Sequence, residues 1–409
     1  MPNLEHRRAK ARLRVLAPDG TPAANAELRF DQTRHDFLFG CGCHEAEALG
    51  VCRDDARRAA LEDRLEKWLG LFNYATLHFY WGRFEPEEGR PRTDELMWAA
   101  KWLRDRGVTL KGHPLCWHTV CADWLLRYAN REIFDRQMAR IRRDVAAFRG
   151  VIDIWDAINE VVIMPDFDKY DNAVTRLCRE YGRVGLVRAV FEAAESANPQ
   201  GLFLINDFNV SPAYERLIEE LLEAGVPIRA IGIQSHQHQG YWGLEKLRDV
   251  LDRFSRLGLP LHFTENTILS GMLTPPEYDD LNDFAPSPWP STPEGEQRQA
   301  EQTAEFYTAL FEHPMVAAIT TWNIGDDGWL CAPGGLMDAD NRLKPVYHAL
   351  RRLIHGAWET HAVLRTDENG EVTLEGFKGE YAVQSDAGAA GFRLGADGAQ
   401  TLRLKPVRA

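Results

Sequence analysis

Between residues 36 and 356, short apolar runs alternate with longer stretches in which apolar residues recur at helical spacing. The runs Asp36–Gly40, Phe72–Leu77, Val108–His113, Val151–Asn159, Leu202–Asp207, Ile228–Gln234, Leu259–Thr264 and Val316–Trp322 predict strands. Between them, Asp54–Leu69, Thr93–Arg106, Arg131–Phe148, Asn172–Ala197, Pro212–Ala224, Leu244–Leu257, Glu294–Phe311 and Pro345–His355 predict helices. Alternation of this kind implies a parallel sheet, and eight strands favour a closed (β/α)8 TIM barrel of the α/β class over an open sheet. Glycine in Arg106-Gly107 and Ala224-Gly225-Val226-Pro227 marks helix ends. The Arg-rich stretch 131–149 also carries Glu132, Asp135 and Asp144, which reads as a solvated face.

Outside this region the pattern changes to short strands and turns. Leu13–Leu16, Asp19-Gly20 and Glu27–Phe30 read as a β-hairpin. After residue 357, Ala362–Arg365, Val372–Leu374, Tyr381–Gln384, Phe392–Leu394 and Thr401–Leu404 read as further strands. A lone hairpin is marginal in water. The expectation is therefore one small accessory β-sandwich, residues 9–35 plus 357–409, with the barrel of residues 36–356 inserted between its halves. The alternative is an independent C-terminal sheet, with the hairpin packed on the barrel floor. The phrases LAPDGTPAANAEL and RTDENGEVTLEGFKGEYAV resemble two parts of a small bacterial β-sandwich repeat of the carboxypeptidase regulatory-like type.

Composition narrows the class. The chain has 409 residues, 44% hydrophobic and 27% charged, which is ordinary for a globular protein. Its 48 basic against 61 acidic residues, a net charge of −13, argue against a nucleic-acid partner. No run reaches the roughly eighteen apolar residues of a membrane span, and residues 1–14 carry no signal-peptide core, so a cytoplasmic protein with no membrane partner is expected. Seven scattered cysteines read as reduced thiols, and Cys41-Gly-Cys43-His44 lacks the second pair a structural zinc site needs. Twelve tryptophans are many for this length. An indole face suits a sugar ring as well as a core.

In a barrel, chemistry belongs at the C-terminal strand ends. Those ends read GHPLCWH (112–118), WDAINE (155–160), NDFN (206–209), QSHQH (234–238), FTEN (263–266) and TTWNIGDDGW (320–329). Glu160 after the fourth strand and Glu265 after the seventh fall on opposite sides of the mouth. A facing carboxylate pair about 5–5.5 Å apart is the arrangement for retaining glycoside hydrolysis.

These blocks, with the run from TTWNIGDDGW to GGLMDADNRLKPVYHAL, are similar to the signatures of glycoside hydrolase family 10, the xylanase family. The resemblance implies a (β/α)8 barrel that hydrolyses β-1,4-linked xylose oligo- or polysaccharides with retention, without a cofactor or metal. It implies Glu160 as acid/base, Asn159 on the sugar 2-hydroxyl, Glu265 as nucleophile and His236 as its partner. His113, Trp117, Gln234, Trp322 and Trp329 would line the subsite at the scissile bond, with Tyr80 and Trp81 on the glycone side.

The chain also departs from the family. Members carry Glu-Asn-x-x-Lys-Trp after the second strand; here LHFYWGRFEP (77–86) keeps Trp81, has Tyr80 in place of the Lys, and lacks the Glu-Asn pair. The nucleophile block, usually Thr-Glu-x-Asp, is Thr264-Glu265-Asn266-Thr267. The departures leave open a β-glycosidase for a non-xylan or decorated oligosaccharide, or a catalytically weak carbohydrate-binding protein. His113, His118, His236 and His238 raise a metal-hydrolase alternative. The Pro-rich, acidic insertion 270–293, with Tyr278 and Trp289, reads as a lid or wall beside the cleft, or as an inert surface loop.

Overall fold

Two strands precede the barrel, β1 (Arg8–Leu16) and β2 (Glu27–His35). The barrel strands follow: β3 (Leu38–Gly42), β4 (Tyr74–His78), β5 (Thr109–His113), β6 (Ile154–Asn159), β7 (Leu202–Asp207), β8 (Ala230–Gln237), β9 (Leu261–Ile268) and β10 (Val316–Thr321). Five more come after it: β11 (His361–Arg365), β12 (Glu371–Phe377), β13 (Gly379–Ser385), β14 (Gly388–Leu394) and β15 (Gly398–Arg403). The structure, a computed structural model, describes residues 4–406.

The strands β3 to β10 close in sequence order into an eight-stranded barrel, with β10 returning to pair with β3. Both faces of such strands are covered, so β4 and β9 are buried at every position. The intervening helices start where side chains satisfy free N–H groups. Asp54 accepts from the Arg57 amide, Asn172 from Thr175 and Thr292 from Gly295, the last with Pro293 in the first turn.

Two irregularities bear on the site. Register slips between Asp156 and Ile158 in β6, just before Asn159 and Glu160. It slips again where β9 passes Thr264, so that Ile233 pairs with Phe263 but Gln234 with Glu265. A bulge re-aims the side chains beyond it, and each candidate catalytic carboxylate lies within two residues of one. The strands β8 and β9 also run past the expected stops at Gln234 and Thr264, to Gln237 and Ile268. Polar residues there read as strand ends, but parallel pairing of His236 with Thr267 carries the ladder on.

The chain divides into two compact units, Phe39–Tyr347 and a second made of residues up to Leu38 with those from His348 on. The second holds two sheets, ordered β12-β1-β15 and β11-β2-β13-β14. Their facing sides share one core that includes Ala11, Leu13, Val15, Leu28, Phe30, Leu374, Tyr381, Val383 and Leu394. One expectation needs correction, because β1 and β2 are not a paired hairpin. The Asp19-Gly20 turn forms, with the Ala17 amide donating to the Thr21 carbonyl, and a single bridge joins Leu16 to Pro22. Pro22 has no N–H to continue that ladder. Each strand instead pairs in a different sheet with strands from beyond residue 357, which brings their apolar faces together.

Candidate active site

At the C-terminal ends of β6 and β9 the structure brings Glu160 and Glu265 into one hydrogen-bonded network. Gln234 Nε2 donates to Glu160 Oε1 and to Asn159 Oδ1, both at 3.1 Å. Asn206 Nδ2 donates to Asn159 Oδ1 at 2.8 Å and to Glu265 Oε1 at 2.9 Å. The Thr264 hydroxyl fixes the Asn206 amide by donating to its Oδ1 at 2.6 Å. A run of neutral amides thus joins the two carboxylates. Trp117 Nε1 donates to the other Glu160 oxygen at 2.7 Å. Glu160 itself sits in the left-handed region, φ +56°, a conformation that costs a non-glycine residue energy and often marks a functional position.

Electrostatics separate the pair. Burial, with the nearby Glu265 charge second, pushes Glu160 up to about 8. Burial raises Glu265 too, but His113 and Lys111 pull it back. Those two rest on Asp156, whose Oδ2 accepts from Lys111 Nζ at 2.6 Å and lies 2.7 Å from His113 Nδ1. Burial would raise Asp156 as well, yet Lys111 and His113 outweigh it and hold the carboxyl below its ordinary range. A buried lysine paired in this way brings positive charge beneath Glu265 without exposing it to water.

His236 lies between Glu265 and Thr267, Nε2 3.1 Å from Glu265 Oε2 and Nδ1 3.0 Å from the Thr267 hydroxyl. Burial lowers its pKa to about 3, so the ring is neutral at working pH. The tautomer this environment favours donates from Nε2 to the carboxylate and accepts the Thr267 hydroxyl proton at Nδ1. A hydroxyl can play that part for a neutral imidazole. The replacement of Asp by Thr267 is thus consistent with an uncharged His236.

The ring wall is assembled around these groups. Trp322 stands edge-on to His113 at 5.2 Å and to His236 at 6.0 Å, and Trp329 lies over His236 at 4.2 Å. Tyr80 contacts Trp117 at 5.4 Å and His113 at 5.7 Å. Trp81, expected on the same wall, is buried elsewhere: its Nε1 donates to Glu85 Oε2, Trp124 stands edge-on to it, and the Arg140 guanidinium lies over its ring. Its neighbour in sequence reaches the site and Trp81 does not, because the two open a short helix, Trp81–Phe84, that turns them apart.

The four histidines of the metal alternative occupy separate settings. His113 is held by Asp156, His236 by Glu265 and Thr267, His118 packs on Phe167 at 4.5 Å, and His238 packs on Trp329 at 4.6 Å. Among the described residues, His44, Glu47 and His78 do bring three ligand atoms within 4.8 Å of one another. Their imidazoles, however, are stacked 3.4 Å apart at 11°, so the in-plane lone pairs run parallel and do not converge on one ion. Glu47 instead receives His78 through both its amide and Nδ1, at 2.9 Å each.

Several residues of this centre escaped the sequence reading. Asn206 pairs with Asn159 across β6 and β7, one residue before the end of β7, so the rule that singled out Asn159 applied to it equally. Lys111, alone and charged inside an apolar run, was the visible sign of a buried ion pair. Asp207, which burial raises to about 7, accepts from the Val162 amide beneath Glu160.

A closed (β/α)8 barrel with two networked carboxylates at its mouth, one of them holding its proton to about pH 8, has the layout of a glycoside hydrolase. The model of glycosyl hydrolase family 10 matches residues 78–353, and the chain belongs to that family. It is 28% identical over 288 residues to an endo-1,4-beta-xylanase/feruloyl esterase of Xylanibacter ruminicola, covering 63% of this chain but only 39% of that relative. It is 28% identical over 269 residues to an endo-1,4-beta-xylanase of Geobacillus stearothermophilus, 62% of this chain and 77% of that one. In fold it is similar to xylanase 10B from Thermotoga petrophila, solved in complex with xylobiose, with a TM-score of 0.63 at 21% identity, over 79% of this chain and 95% of that one.

Proposed function

We propose that the site hydrolyses β-1,4-glycosidic bonds between xylose units with retention, Glu265 acting as nucleophile and Glu160 as acid/base. The observation that carries this reading is the unequal charge environment of two carboxylates joined through Asn159, Gln234 and Asn206. Ionised Glu265 attacks the anomeric carbon as the glycosidic bond breaks, and Glu160 gives its proton to the departing oxygen. Ester formation removes the negative charge that helped raise Glu160. Its pKa then falls, and it accepts a proton from the water that cleaves the ester. In this reading Asn159 meets the sugar 2-hydroxyl, its side-chain oxygen being held by Gln234 and Asn206. The Trp117, Trp322 and Trp329 indoles position the ring without adding charge.

Tyr80 separates this enzyme from a generic polymer cutter. Where the family grips the glycone with a lysine, an aromatic ring packs against His78 at 5.4 Å. Short or decorated xylo-oligosaccharides therefore fit this site better than linear xylan. The test is a panel of aryl β-xyloside, xylobioside, glucoside and cellobioside, with the first-formed anomer followed by NMR. Turnover greatest on the xylobioside with a β product is expected; an α product, or no turnover on any member, overturns the reading.

A further inference from the structure

The insertion that follows β9 is built as a strap. Its two ends meet at the barrel, where Gly271 bridges Ser291 and the Thr292 amide donates to the Ser270 carbonyl at 3.0 Å. From there it passes the end of β8: the Thr274 amide donates to the His238 carbonyl at 2.9 Å, and Gln239 Nε2 donates to the carbonyls of Pro275 and Tyr278. Its far part reaches the loop after β6, where Lys169 pairs with Asp280 at 2.8 Å and with Asp283. Inside, Trp289 and Phe284 pack with Leu269, Leu330 and Ala332, and Trp289 Nε1 donates to the Met272 carbonyl at 2.9 Å. An inert surface loop would not need a packed core shared with the loop after β10 and anchors at the end of β8 and the loop after β6.

The path matters because of where it begins and ends. Glu265 is on β9 and Glu160 follows β6, and the barrel order between them is β7 then β8 on one side and β10, β3, β4, β5 on the other. A sugar chain whose scissile bond lies between these carboxylates must cross the line joining them. One arm of the chain then heads toward Tyr80 and Trp322, and the other toward the ends of β7 and β8. The strap is seated at its base against the loop after β10, and from β9 it runs to the β6 loop by way of β8, the side on which the second arm lies.

We infer that the strap of residues 270–292, latched by Lys169 to Asp280 and Asp283, limits the leaving-group side of the cleft to a short aglycone. The enzyme then shortens oligosaccharides from their reducing ends and does not cut polymers in mid-chain. This rests on the xylosidic reading above and on its placing of the glycone beside Tyr80. The latch is partly exposed, Lys169 at 42% and its partners at 37% and 52%. Salt therefore screens it, and interior cleavage should rise with ionic strength.

The test follows bond-cleavage frequencies on xylohexaose carrying 18O at its reducing end, beside turnover of an aryl β-xylobioside whose aglycone is small. Wild type should cut mainly at the first or second bond from the labelled end. Lys169→Glu should raise the share of interior cuts about threefold with aryl turnover unchanged, and Asp280→Lys with Asp283→Lys in that background should restore the original pattern. Replacing residues 277–287 by two glycines should raise interior cutting about tenfold, and retained aryl turnover reports that this variant is folded. Mid-chain cutting by wild type, or an unchanged pattern in the active deletion variant, overturns the strap's role and leaves the xylosidic reading standing. Wild type inactive on both substrates overturns the xylosidic reading and the strap's role together.

Discussion

Glu160 and Glu265 are the same residue type, set at the same mouth and one hydrogen-bonded network apart, yet they face different company. Glu265 has His113 and Lys111 close beneath it and takes donors from Asn206 and His236. Glu160 takes neutral donors, Trp117, Gln234 and Asn159, with the carboxylates of Glu265 and Asp207 as its charged neighbours. Unequal charge around the two favours the proton on Glu160 and eases the ionisation of Glu265. The assignment of acid and nucleophile therefore lies in the neighbours.

The largest break in this comparison is removal of the nucleophile. Glu265→Ala should lower aryl β-xylobioside turnover by more than the roughly 10⁴-fold that a lone acid/base group can supply. Glu160→Gln should cost about 10²–10⁴-fold on an unactivated xylo-oligosaccharide. The loss should be clearly smaller on a nitrophenyl glycoside, whose leaving group needs no proton. In wild type, kcat/KM should fall as pH rises past about 8, where Glu160 loses its proton, and that limb should vanish in the Gln variant. The same shift has a stability sign. From about 4.5 to 8 the folded chain holds a proton that the unfolded chain has released, so stability falls as pH rises through that window. Urea unfolding at several pH values should show a flatter slope for Glu160→Gln.

Removing the charge under Glu265 probes the other side. Lys111→Met leaves Asp156 buried without its main cation and should cost about 3–5 kcal/mol of stability by urea unfolding. It should also move the acid limb of kcat/KM upward, since Glu265 then ionises later. The smallest effect should come from Thr267→Asp, which hands His236 a charged acceptor. Its imidazole titration, followed by NMR, should move upward by about 1–3 pH units. If it stays put, burial outweighs even a charged acceptor at this position in holding His236 neutral.

The barrel was legible because its strands are buried on both sides and read as continuous apolar runs. Glu160 and Glu265 were legible because each ends such a run. The rule failed where polar residues continue a strand, as at His236 and Thr267, since a residue facing a polar mouth looks the same in sequence as one leaving the sheet. The link from Lys111 through Asp156 to His113 could not be seen either, because it joins β5 to β6 through a contact between strands. Trp81 and Tyr80 show the limit at the level of one residue: adjacent aromatics in one motif reach different surroundings once a helix turns between them.

The outer sheets set a different kind of constraint, on time. Arg12 in β1 meets Glu371 in β12, 359 positions further along the chain. At about 5–20 residues per second, a ribosome takes roughly 20–70 s to deliver that partner. Throughout that interval β1 is an unpaired edge carrying Ala9, Ala11, Leu13 and Val15. Arg8, Lys10, Arg12 and Arg14 alternate with them along the strand. In the finished fold these cations make surface pairs, such as Arg12 with Glu371 and Arg8 with Glu375. During synthesis they keep a waiting strand from pairing with the wrong chain.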